Sequence, residues 1–509
     1  MLATVQSSAL QGVDATLVEV EVDLGRGLPQ LSIVGLPEAA VRESRERVRS
    51  AIRNSGYPFP AERTTINLAP ADVRKEGSAY DLPIALGLLA ASGTVPPERL
   101  AGQVIVGELS LDGRVKPVRG ALAIADATAA LGIRRLLIPA ANALEAALVS
   151  SVEVYGVSSL GEAVEFLLAR RALARCEVDA SQWLSAGSAT AGDLAEVHGQ
   201  QHAKRALEIA AAGGHNLLLV GPPGAGKTML ARRIAGLLPT PTLAEAIEIT
   251  KIHSVAGLLR GEPMLSARPF RAPHHTISAA GLVGGGPGPR PGEVTLAHHG
   301  VLFLDELPEF PRHALEALRQ PMEERRVTVS RAQGSLRFPA NFTLVAAMNP
   351  CPCGFFGDPR RACLCSEPEV RRYRRRISGP LLDRIDLHVE APALAPTELR
   401  GSPNGESSAE VRRRVCAARE RQLERFAGRG IFCNALMSPR ELRRHCALDD
   451  DGERVLETAI DRLGLSARSY GRVLRIARTL ADLSGEPRIQ AGHVAEAVQY
   501  RPLDAQPCG

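Results

Sequence analysis

Hydrophobic and polar residues alternate along the first third of the chain with two different periods. In residues 18–23, valines alternate with acidic residues, which predicts a half-buried strand. Residues 38–55 carry apolar side chains at helical spacing and are followed by Gly56, which predicts a helix that ends there. Further apolar runs predict strands at 65–68, 104–106, 136–138 and 152–157. We therefore predict a compact domain of mixed α and β structure over residues 1–170.

The pattern changes three times along the remainder of the chain. Residues 171–195 are mostly small and polar, and this composition predicts a linker. The segment also contains Trp183, the only tryptophan of the sequence. Residues 196–395 alternate short apolar runs with helical segments, which predicts an α/β domain. Residues 400–509 predict a helical domain. Its helices are expected at 408–426, 440–446, 450–463, 468–483 and 490–500.

Length and composition limit the classes of protein that fit this pattern. A chain of 509 residues is too long for one hydrophobic core and suits three domains. With 45% hydrophobic and 23% charged residues, the composition excludes the disordered, collagenous and coiled-coil classes. The net charge of +5, from 61 basic and 56 acidic residues, identifies no partner by itself.

The chain lacks the sequence features of export and of membrane insertion. The first positive charge is Arg26, so the N-terminal segment has no basic region of the kind that begins a signal peptide. The uncharged stretch 82–97 is 16 residues long and is interrupted by proline and glycine, whereas a membrane span needs about 18 apolar residues. We predict a buried helix there, a cytoplasmic protein and no membrane partner.

A glycine-rich motif follows a short apolar run at 217–220. The motif, GPPGAGKT, opens a helical segment, and this order of strand, loop and helix is the one that binds nucleotide phosphates. Its backbone N–H groups would surround the phosphates of ATP, its lysine would supply a positive charge, and its threonine hydroxyl would bind Mg²⁺. The predicted ATP-binding residues are Gly221, Pro222, Pro223, Gly224, Ala225, Gly226, Lys227 and Thr228.

Two further apolar runs end in polar residues that suit ATP hydrolysis. The run 301–304 is followed by Asp305 and Glu306. We predict that Asp305 binds Mg²⁺ and that Glu306 is the base that activates the attacking water, since hydrolysis needs both functions. The run 344–348 ends at Asn349, whose amide is predicted to orient that water.

These motifs, together with LVAAMNP, GPLLDRID and PFRAPHHTISAAGLVGGG, resemble those of the AAA+ ATPases of the magnesium-chelatase/MCM branch, specifically the YifB/ComM group. The resemblance covers almost the whole chain. It implies an AAA+ P-loop αβα core, a C-terminal helical lid and a homo-oligomeric, hexameric ring. It also implies that Arg384 is an arginine finger for a neighbouring subunit and that Arg468 is the lid sensor, with Arg472 and Arg475 as alternatives on the same predicted helix.

The N-terminal segments KEGSAYDLPIALGLL and GELSLDGRVKPVRGALAIADATAALGIRRLLIP resemble the proteolytic domain of Lon protease, an α+β fold. That family uses a Ser–Lys dyad. The resemblance places Ala79 at the serine position and Leu122 at the lysine position, and Ser78 would need a shift of register to replace the serine. We therefore predict no peptidase activity, and a role for this domain in binding a protein partner or guiding DNA.

Four cysteines form two C-x-C pairs nine residues apart. Four thiolates can hold Zn²⁺ in tetrahedral geometry, although the spacing within each pair is shorter than usual. The pattern suits a structural zinc site or free thiols, and we predict zinc. The residues are Cys351, Cys353, Cys363 and Cys365.

Residues 323–339 predict a β-hairpin with its turn at Gly334. In MCM-like ATPases, the matching hairpin projects into the central channel with a basic residue near its tip, here Arg331. A cation in that position would bind a nucleic-acid backbone without sequence preference. His274 and His275 lie in a second, glycine-rich insertion without a cysteine or carboxylate at metal-ligand spacing, so no metal is predicted there.

The resemblance and the motifs together predict a ring-forming ATPase that moves on single-stranded or branched DNA as a branch-migration helicase in recombination or natural transformation. One alternative is a chelatase-like motor subunit that remodels a protein partner for metal insertion, although no D-x-S-x-S metal-adhesion signature is present. Another is a non-enzymatic scaffold, which the intact phosphate and magnesium motifs disfavour.

Overall fold

The computed structural model describes residues 1–186, 192–259, 261–286, 290–331, 334–394, 405–463 and 467–501. Its internal contacts divide the chain into two compact units. The first unit comprises residues 1–187 and 242–266, and the second comprises 188–241 and 267–509. Within the described part of the chain, no helix is both long and apolar enough to cross a bilayer.

A mixed seven-stranded sheet organises the first unit. The strands of this unit are β1 Leu2–Gln11, β2 Asp14–Gly25, β3 Gln30–Val34, β4 Arg63–Ala69, β5 Gln103–Ile105, β6 Glu108–Leu109, β7 Val115–Lys116, β8 Arg135–Pro139 and β9 Glu153–Val157. The order of strands in the sheet is β3-β4-β2-β1-β5-β8-β9. The pairs β1/β2 and β2/β4 are antiparallel and the other neighbours are parallel, while β6 and β7 form a separate hairpin.

The helices of the first unit cover this sheet and agree with the periodicity of the sequence. Helix Ala39–Asn54 matches the predicted 38–55, and helix Asp81–Ala91 is buried along its whole length. The latter ends before the predicted residue 97 because Gly93 takes a left-handed conformation, φ +84°. The other helices are Ala121–Ala130, Ala143–Ala146, Leu160–Leu167, Ala180–Ala186 and Leu243–Ala256.

Helix Leu243–Ala256 belongs to the first unit although it lies within the predicted ATPase segment 196–395. A capping box at Thr242 begins it. Its Lys251 ammonium contacts the carboxylates of Asp14 and Asp126 at 2.8 and 2.6 Å, and the Gly120 N–H donates to the Ser254 carbonyl. The segment therefore contributes one helix to the N-terminal fold.

A parallel five-stranded sheet forms the centre of the second unit. The described strands of this unit are β10 Leu217–Val220, β11 Phe270–Arg271, β12 Gly284–Gly285, β13 Arg290–Pro291, β14 Val301–Leu304, β15 Arg326–Arg331, β16 Gly334–Pro339, β17 Thr343–Met348 and β18 Leu387–Glu390. The order of strands in the sheet is β11-β14-β17-β10-β18, and each neighbouring pair is parallel. The remaining strands form two hairpins, β12/β13 and β15/β16.

Helices pack on this sheet and share a hydrophobic core with the C-terminal helices. Each helix predicted between 408 and 500 is present. The helices are Gln201–Gly213, Lys227–Leu237, Ala279–Val283, Glu293–Leu296, Arg312–Ala317, Arg319–Glu324, Glu367–Arg374, Gly379–Leu382, Ser408–Arg425, Pro439–His445, Asp450–Leu463, Ala467–Ser484 and Ala491–Gln499. The prediction of a mixed α/β multidomain fold is confirmed, and the second unit is built on a parallel sheet.

A buried ionic network fixes two of the C-terminal helices. The carboxylate of Asp482 is 1% exposed and accepts hydrogen bonds from Arg425 Nη1 at 2.8 Å, Arg478 Nε at 3.2 Å and Asn434 Nδ2 at 2.8 Å. Burial lowers the pKa of the Arg478 guanidinium. Because the carboxylate has three donors, its negative charge is compensated inside the unit.

Candidate functional site

The glycine-rich loop connects the end of β10 to helix Lys227–Leu237. Gly224 and Gly226 both have φ of +81°, a left-handed conformation that glycine adopts without strain. A Cβ atom on Gly221 would lie 2.0 Å from the Ala391 carbonyl oxygen, so only glycine fits there, whereas a Cβ on Gly224 would meet open space. The loop thus leaves room beside its backbone N–H groups at a helix N-terminus, which fits the phosphates of a nucleotide.

Lys227 lies at the mouth of this loop and is 9% exposed. Its ammonium donates to the carbonyl oxygens of Gly221 and Pro222 at 2.7 and 2.9 Å and to Asn349 Oδ1 at 3.1 Å. Burial lowers the pKa of Lys227, while the charges of Asp305 and Glu306 oppose that shift. The structure therefore brings the lysine and the asparagine together.

Thr228 and Asp305 form the second contact of the site. The Thr228 hydroxyl donates to Asp305 Oδ2 at 2.6 Å, and Asp305 Oδ1 accepts the backbone N–H of Glu306 at 2.9 Å. A hydroxyl and a carboxylate at this separation are hard oxygen donors of the kind that Mg²⁺ prefers. The residues present therefore fit a magnesium ion.

The order of the sheet explains why residues from distant segments meet here. Strand β17 lies between β14 and β10, and the three run in parallel. Their carboxyl ends carry Asn349, Asp305 and the glycine-rich loop respectively. Ligands of open parallel sheets bind at this edge.

Glu306 has a partner that the sequence analysis missed. Its Oε2 lies 3.3 Å from Nδ1 of His275, and its backbone is left-handed, with φ of +52°. His275 follows β11, the neighbour of β14, by four residues. In the sequence, this contact is indicated only by the position of His275 just past the end of a strand. That position points to Glu306 only when the order of the strands in the sheet is known.

The four cysteines of the two C-x-C pairs converge in the second unit. All four Sγ atoms lie within 4.8 Å of one another, and the distances among Cys351, Cys353 and Cys363 are 3.4, 3.6 and 3.7 Å. Tetrahedral zinc with Zn–S bonds of about 2.3 Å separates its sulfurs by about 3.8 Å. Backbone N–H groups lower the pKa of Cys353 to about 6, which favours its thiolate.

Comparison with known proteins identifies the family. Three family models match successive parts of the chain: subunit ChlI of Mg-chelatase at 20–142, magnesium chelatase, subunit ChlI, at 193–399, and the ChlI C-terminal model at 405–501. Competence protein ComM of Haemophilus influenzae is 47% identical over 505 residues, 99% of this chain and 98% of that protein. The chain belongs to the YifB/ComM group of the magnesium-chelatase family.

Other relatives agree with this placement. YifB of Escherichia coli is 46% identical over 506 residues, which are 99% of this chain and 97% of that protein. Lon protease 2 of Bacillus subtilis is 28% identical over 182 residues, a partial match covering 31% of this chain and 32% of that protein. Membership of the magnesium-chelatase family implies an AAA+ motor ATPase that uses ATP and Mg²⁺.

The arginines that the family resemblance singles out have partners other than the Lys227 cluster, or have side chains outside the described residues. The side chain of Arg384 is 10% exposed and forms an ion pair with Glu323. The side chain of Arg468 lies outside the described part of the structure. The alternatives have partners within the second unit, since Arg472 Nε lies 3.3 Å from Asp386 and Arg475 Nη2 donates to the Met437 carbonyl at 2.7 Å.

The hairpin predicted from residues 323–339 is present as β15 and β16. Arg331 pairs with Gly334 in the register of the two strands. The predicted role of the Arg331 side chain falls outside the described residues. The backbone nevertheless places residue 331 at the last strand pair of the hairpin, as the sequence predicts.

The Lon-like positions of the first unit hold apolar residues in ordinary structural roles. The Ala79 carbonyl accepts the Gly107 N–H at 2.8 Å, and the buried Leu122 donates its N–H to Glu145 Oε1 at 2.9 Å. The Ser78 hydroxyl donates to Glu108 rather than to a lysine. The absence of peptidase activity stays a prediction from these residues.

Proposed function

We propose that this protein hydrolyses ATP in a homo-hexameric cytoplasmic ring and uses the energy to move on single-stranded or branched DNA, as a branch-migration helicase. The observation that carries the ATPase part is the hydrogen-bonded cluster of Lys227, Asn349, Thr228 and Asp305 at the carboxyl edge of a parallel sheet. The DNA part draws support from the relative that is named a competence protein and from the hairpin that carries Arg331.

Each residue of the cluster has a defined task in this proposal. Lys227 and the loop N–H groups hold the phosphates, and Thr228 and Asp305 hold the magnesium ion, which neutralises charge on the phosphate oxygens when bound. Asn349 orients the attacking water and Glu306 accepts its proton. Lys227 must exchange its contacts with the Gly221 and Pro222 carbonyl oxygens for phosphate oxygens, which its flexible stem allows.

The ring is needed because the proposed arginine finger acts between subunits. Arg384 would exchange its ion pair with Glu323 for a phosphate of the neighbouring subunit, and Arg468 would contact the nucleotide from the helical lid of its own subunit. Guanidinium groups suit both tasks because they stay charged and bind phosphate oxygens in pairs. The first unit is proposed to bind a protein partner or to guide DNA.

A second function is favoured by one observation. All three matching family models describe the ChlI subunit of magnesium chelatase. A chelatase-like motor would apply the same ATPase cycle to a protein partner during metal insertion. The two functions differ in what stimulates hydrolysis, because only the first requires nucleic acid.

The DNA proposal predicts that single-stranded or branched DNA stimulates ATP hydrolysis by the purified protein. Stimulation should weaken as salt rises, since phosphate contacts release counterions and lose affinity in salt. Steady-state ATPase assays across a salt series measure both effects, and Lys227→Ala supplies the background rate. ATPase activity that DNA leaves unchanged at every salt concentration would reject DNA as the stimulating ligand and favour the chelatase-like alternative.

Arg331 and Arg337 provide a matched pair for the same assay. Both are arginines of one hairpin, and Arg337 lies on β16 opposite Thr328, away from the turn. Arg331→Ala should lower DNA affinity about equally for all sequences and reduce the salt slope by about one for each phosphate that the arginine neutralises. Arg337→Ala should remain close to the unmodified protein; equal effects of the two changes would contradict a role at the tip.

We also propose that the cysteine cluster holds one structural zinc ion. The loop that this zinc would close packs against the nucleotide loop. The two loops are so close that a Cβ atom on Gly354 would lie 2.5 Å from Pro223 Cδ. A metal that fixes this loop would therefore support the nucleotide loop against which it packs. Four thiolates at tetrahedral separations, with no open position for water, are typical of structural rather than catalytic zinc.

Metal analysis of the purified protein should find one zinc per chain. Cys363→Ser should remove most of the metal and lower the melting temperature, because binding of a structural zinc contributes to folding. Cys416→Ser is the control, since Cys416 is a free cysteine of the same unit outside the cluster. A protein without zinc whose four cluster thiols all react with a thiol reagent would refute the site.

A further inference from the structure

Asn216 lies immediately before β10, at the amino end of the parallel strands. Its side-chain Nδ2 donates to the Arg384 carbonyl at 2.9 Å, and its Oδ1 accepts the N–H of Leu344 at 2.8 Å. Its backbone N–H donates to Asp386 Oδ2 at 3.1 Å. One asparagine therefore joins three segments: the start of β10, the start of β17 and the segment that carries the proposed arginine finger.

The backbone of Arg384 lies in a short connection between helix Gly379–Leu382 and β18. The Arg384 N–H donates to the Leu381 carbonyl at 2.9 Å, which fixes the connection on its helical side. The Asn216 amide holds the carbonyl of the same residue on the strand side. The direction in which the Arg384 side chain leaves the backbone therefore depends on these two contacts.

Asn216 is itself held by the segment that it supports. Its carbonyl accepts the N–H groups of Asp386 and Leu387 at 3.1 and 2.9 Å. The Asp386 carboxylate, which is 13% exposed, also lies 3.3 Å from Arg472 Nε on helix Ala467–Ser484. Because these hydrogen bonds form one connected network, the amide has little freedom and can act as a fixed support.

The position of Arg384 along the strands suits a role in a neighbouring subunit. It precedes β18, whereas the nucleotide loop follows β10, and the two strands are paired in parallel. The four residues of β10 span about 13 Å at about 3.3 Å per residue. The backbone of Arg384 therefore lies at the opposite edge of the sheet from the nucleotide loop of its own subunit.

We propose that Asn216 is a positioning residue that sets where Arg384 is presented to the ATP site of the neighbouring subunit. The inference rests on the proposed function, because it takes Arg384 as the arginine finger of a ring. Loss of the amide releases the Arg384 carbonyl and lets the guanidinium leave the position in which it stabilises charge on the phosphate. The ATP site of the same subunit keeps all its residues, so the defect arises in the neighbour.

Asn216→Ala should lower kcat for ATP hydrolysis about 10- to 100-fold, because a misplacement of about 1 Å can cost about 10²-fold in rate. The KM for ATP should change less than about threefold, since the lost contact acts in the transition state. Asn54→Ala is the matched control, because Asn54 Nδ2 also donates to a backbone carbonyl, that of Leu111 at 2.7 Å. The control should leave kcat and KM unchanged in steady-state ATPase assays.

Rings of mixed composition separate positioning from general damage. Co-expression of Asn216→Ala and Lys227→Ala chains with different tags, followed by purification on both tags, yields such rings. A Lys227→Ala subunit has a defective ATP site, but it presents an intact arginine finger to an Asn216→Ala neighbour. The ATPase activity of the mixed rings should therefore exceed that of either variant alone several-fold. Damage to the ATP site of the Asn216→Ala subunit itself would not be repaired in this way.

Mixed rings of Arg384→Ala and Lys227→Ala are the reference for the finger itself. If the reference rings are active and the Asn216→Ala rings show no gain, or if Asn216→Ala alone has a normal kcat, the role of Asn216 is overturned. Reference rings without activity would reject the finger that acts between subunits, and the inference with it. An Asn216→Ala protein that unfolds below the assay temperature is replaced by Asn216→Asp, for which the same outcomes apply. That change keeps an acceptor for the Leu344 N–H and removes only the donor to Arg384.

Discussion

Replacing Glu306 by glutamine is expected to lower kcat for ATP hydrolysis at least about 10²-fold, because a positioned general base contributes about 10²–10⁴ to a rate. Binding of ATP should remain, since Lys227, Thr228 and Asp305 form their contacts without the Glu306 side chain. Steady-state ATPase assays measure the first effect, and titration with a fluorescent ATP analogue measures the second.

A nearby acidic residue supplies the control for this variant. Glu309 lies three residues further on and is paired with Arg376 at 2.7 Å. Glu309→Gln should change kcat less than about twofold, because this carboxylate belongs to an exposed ion pair with Arg376. If Glu306→Gln retains normal turnover, then Glu306 is not the base and the assignment of the catalytic carboxylate is wrong.

Replacing Asp482 by alanine is expected to lower the free energy of unfolding of the second unit by about 3–5 kcal/mol. The change leaves the guanidinium groups of Arg425 and Arg478 without their carboxylate, and removing one partner of a buried ionic network has a cost of that size. Arg478 is only 3% exposed, so water cannot replace the missing hydrogen bonds. Urea unfolding of the purified protein measures the shift.

Asp451 is the matched surface residue for this comparison. It is paired with Arg454, and both side chains are more than 70% exposed. Asp451→Ala should change the free energy of unfolding by less than about 1 kcal/mol, because exposed ion pairs contribute little. Equal stability of the two variants would show that the Asp482 network does not hold the C-terminal helices together.

Local patterns in the sequence predicted much of the fold. The valines that alternate with acidic residues form β2, and Val18, Val20 and Val22 are fully buried. The helical spacing of apolar residues likewise located helix Ala39–Asn54 and the C-terminal helices to within about two residues. Such patterns can be recognised because side chains on one face of a strand or helix recur at a fixed spacing. The buried face is therefore apolar and the exposed face polar at that spacing.

Other features depend on contacts between distant residues and could not be predicted. The strands β1 and β3 were missed, and the pairing of β1 with β5 joins segments about a hundred residues apart. The contact between His275 and Glu306 depends on the order of strands in the sheet. The membership of helix Leu243–Ala256 in the first unit follows from contacts such as those of Lys251 with Asp14 and Asp126. In each case the sequence contains the residues but not their spatial neighbours.

Helix Leu243–Ala256 also has a consequence for how the gene can be divided. Since the first unit takes residues 242–266 from within the second, the backbone passes between the units at three places rather than one. A shortened gene that ends near residue 186 would encode an N-terminal fold without the helix that neutralises Asp14 and Asp126. Exchange of N-terminal domains among homologues therefore has to carry two separate stretches of coding sequence together.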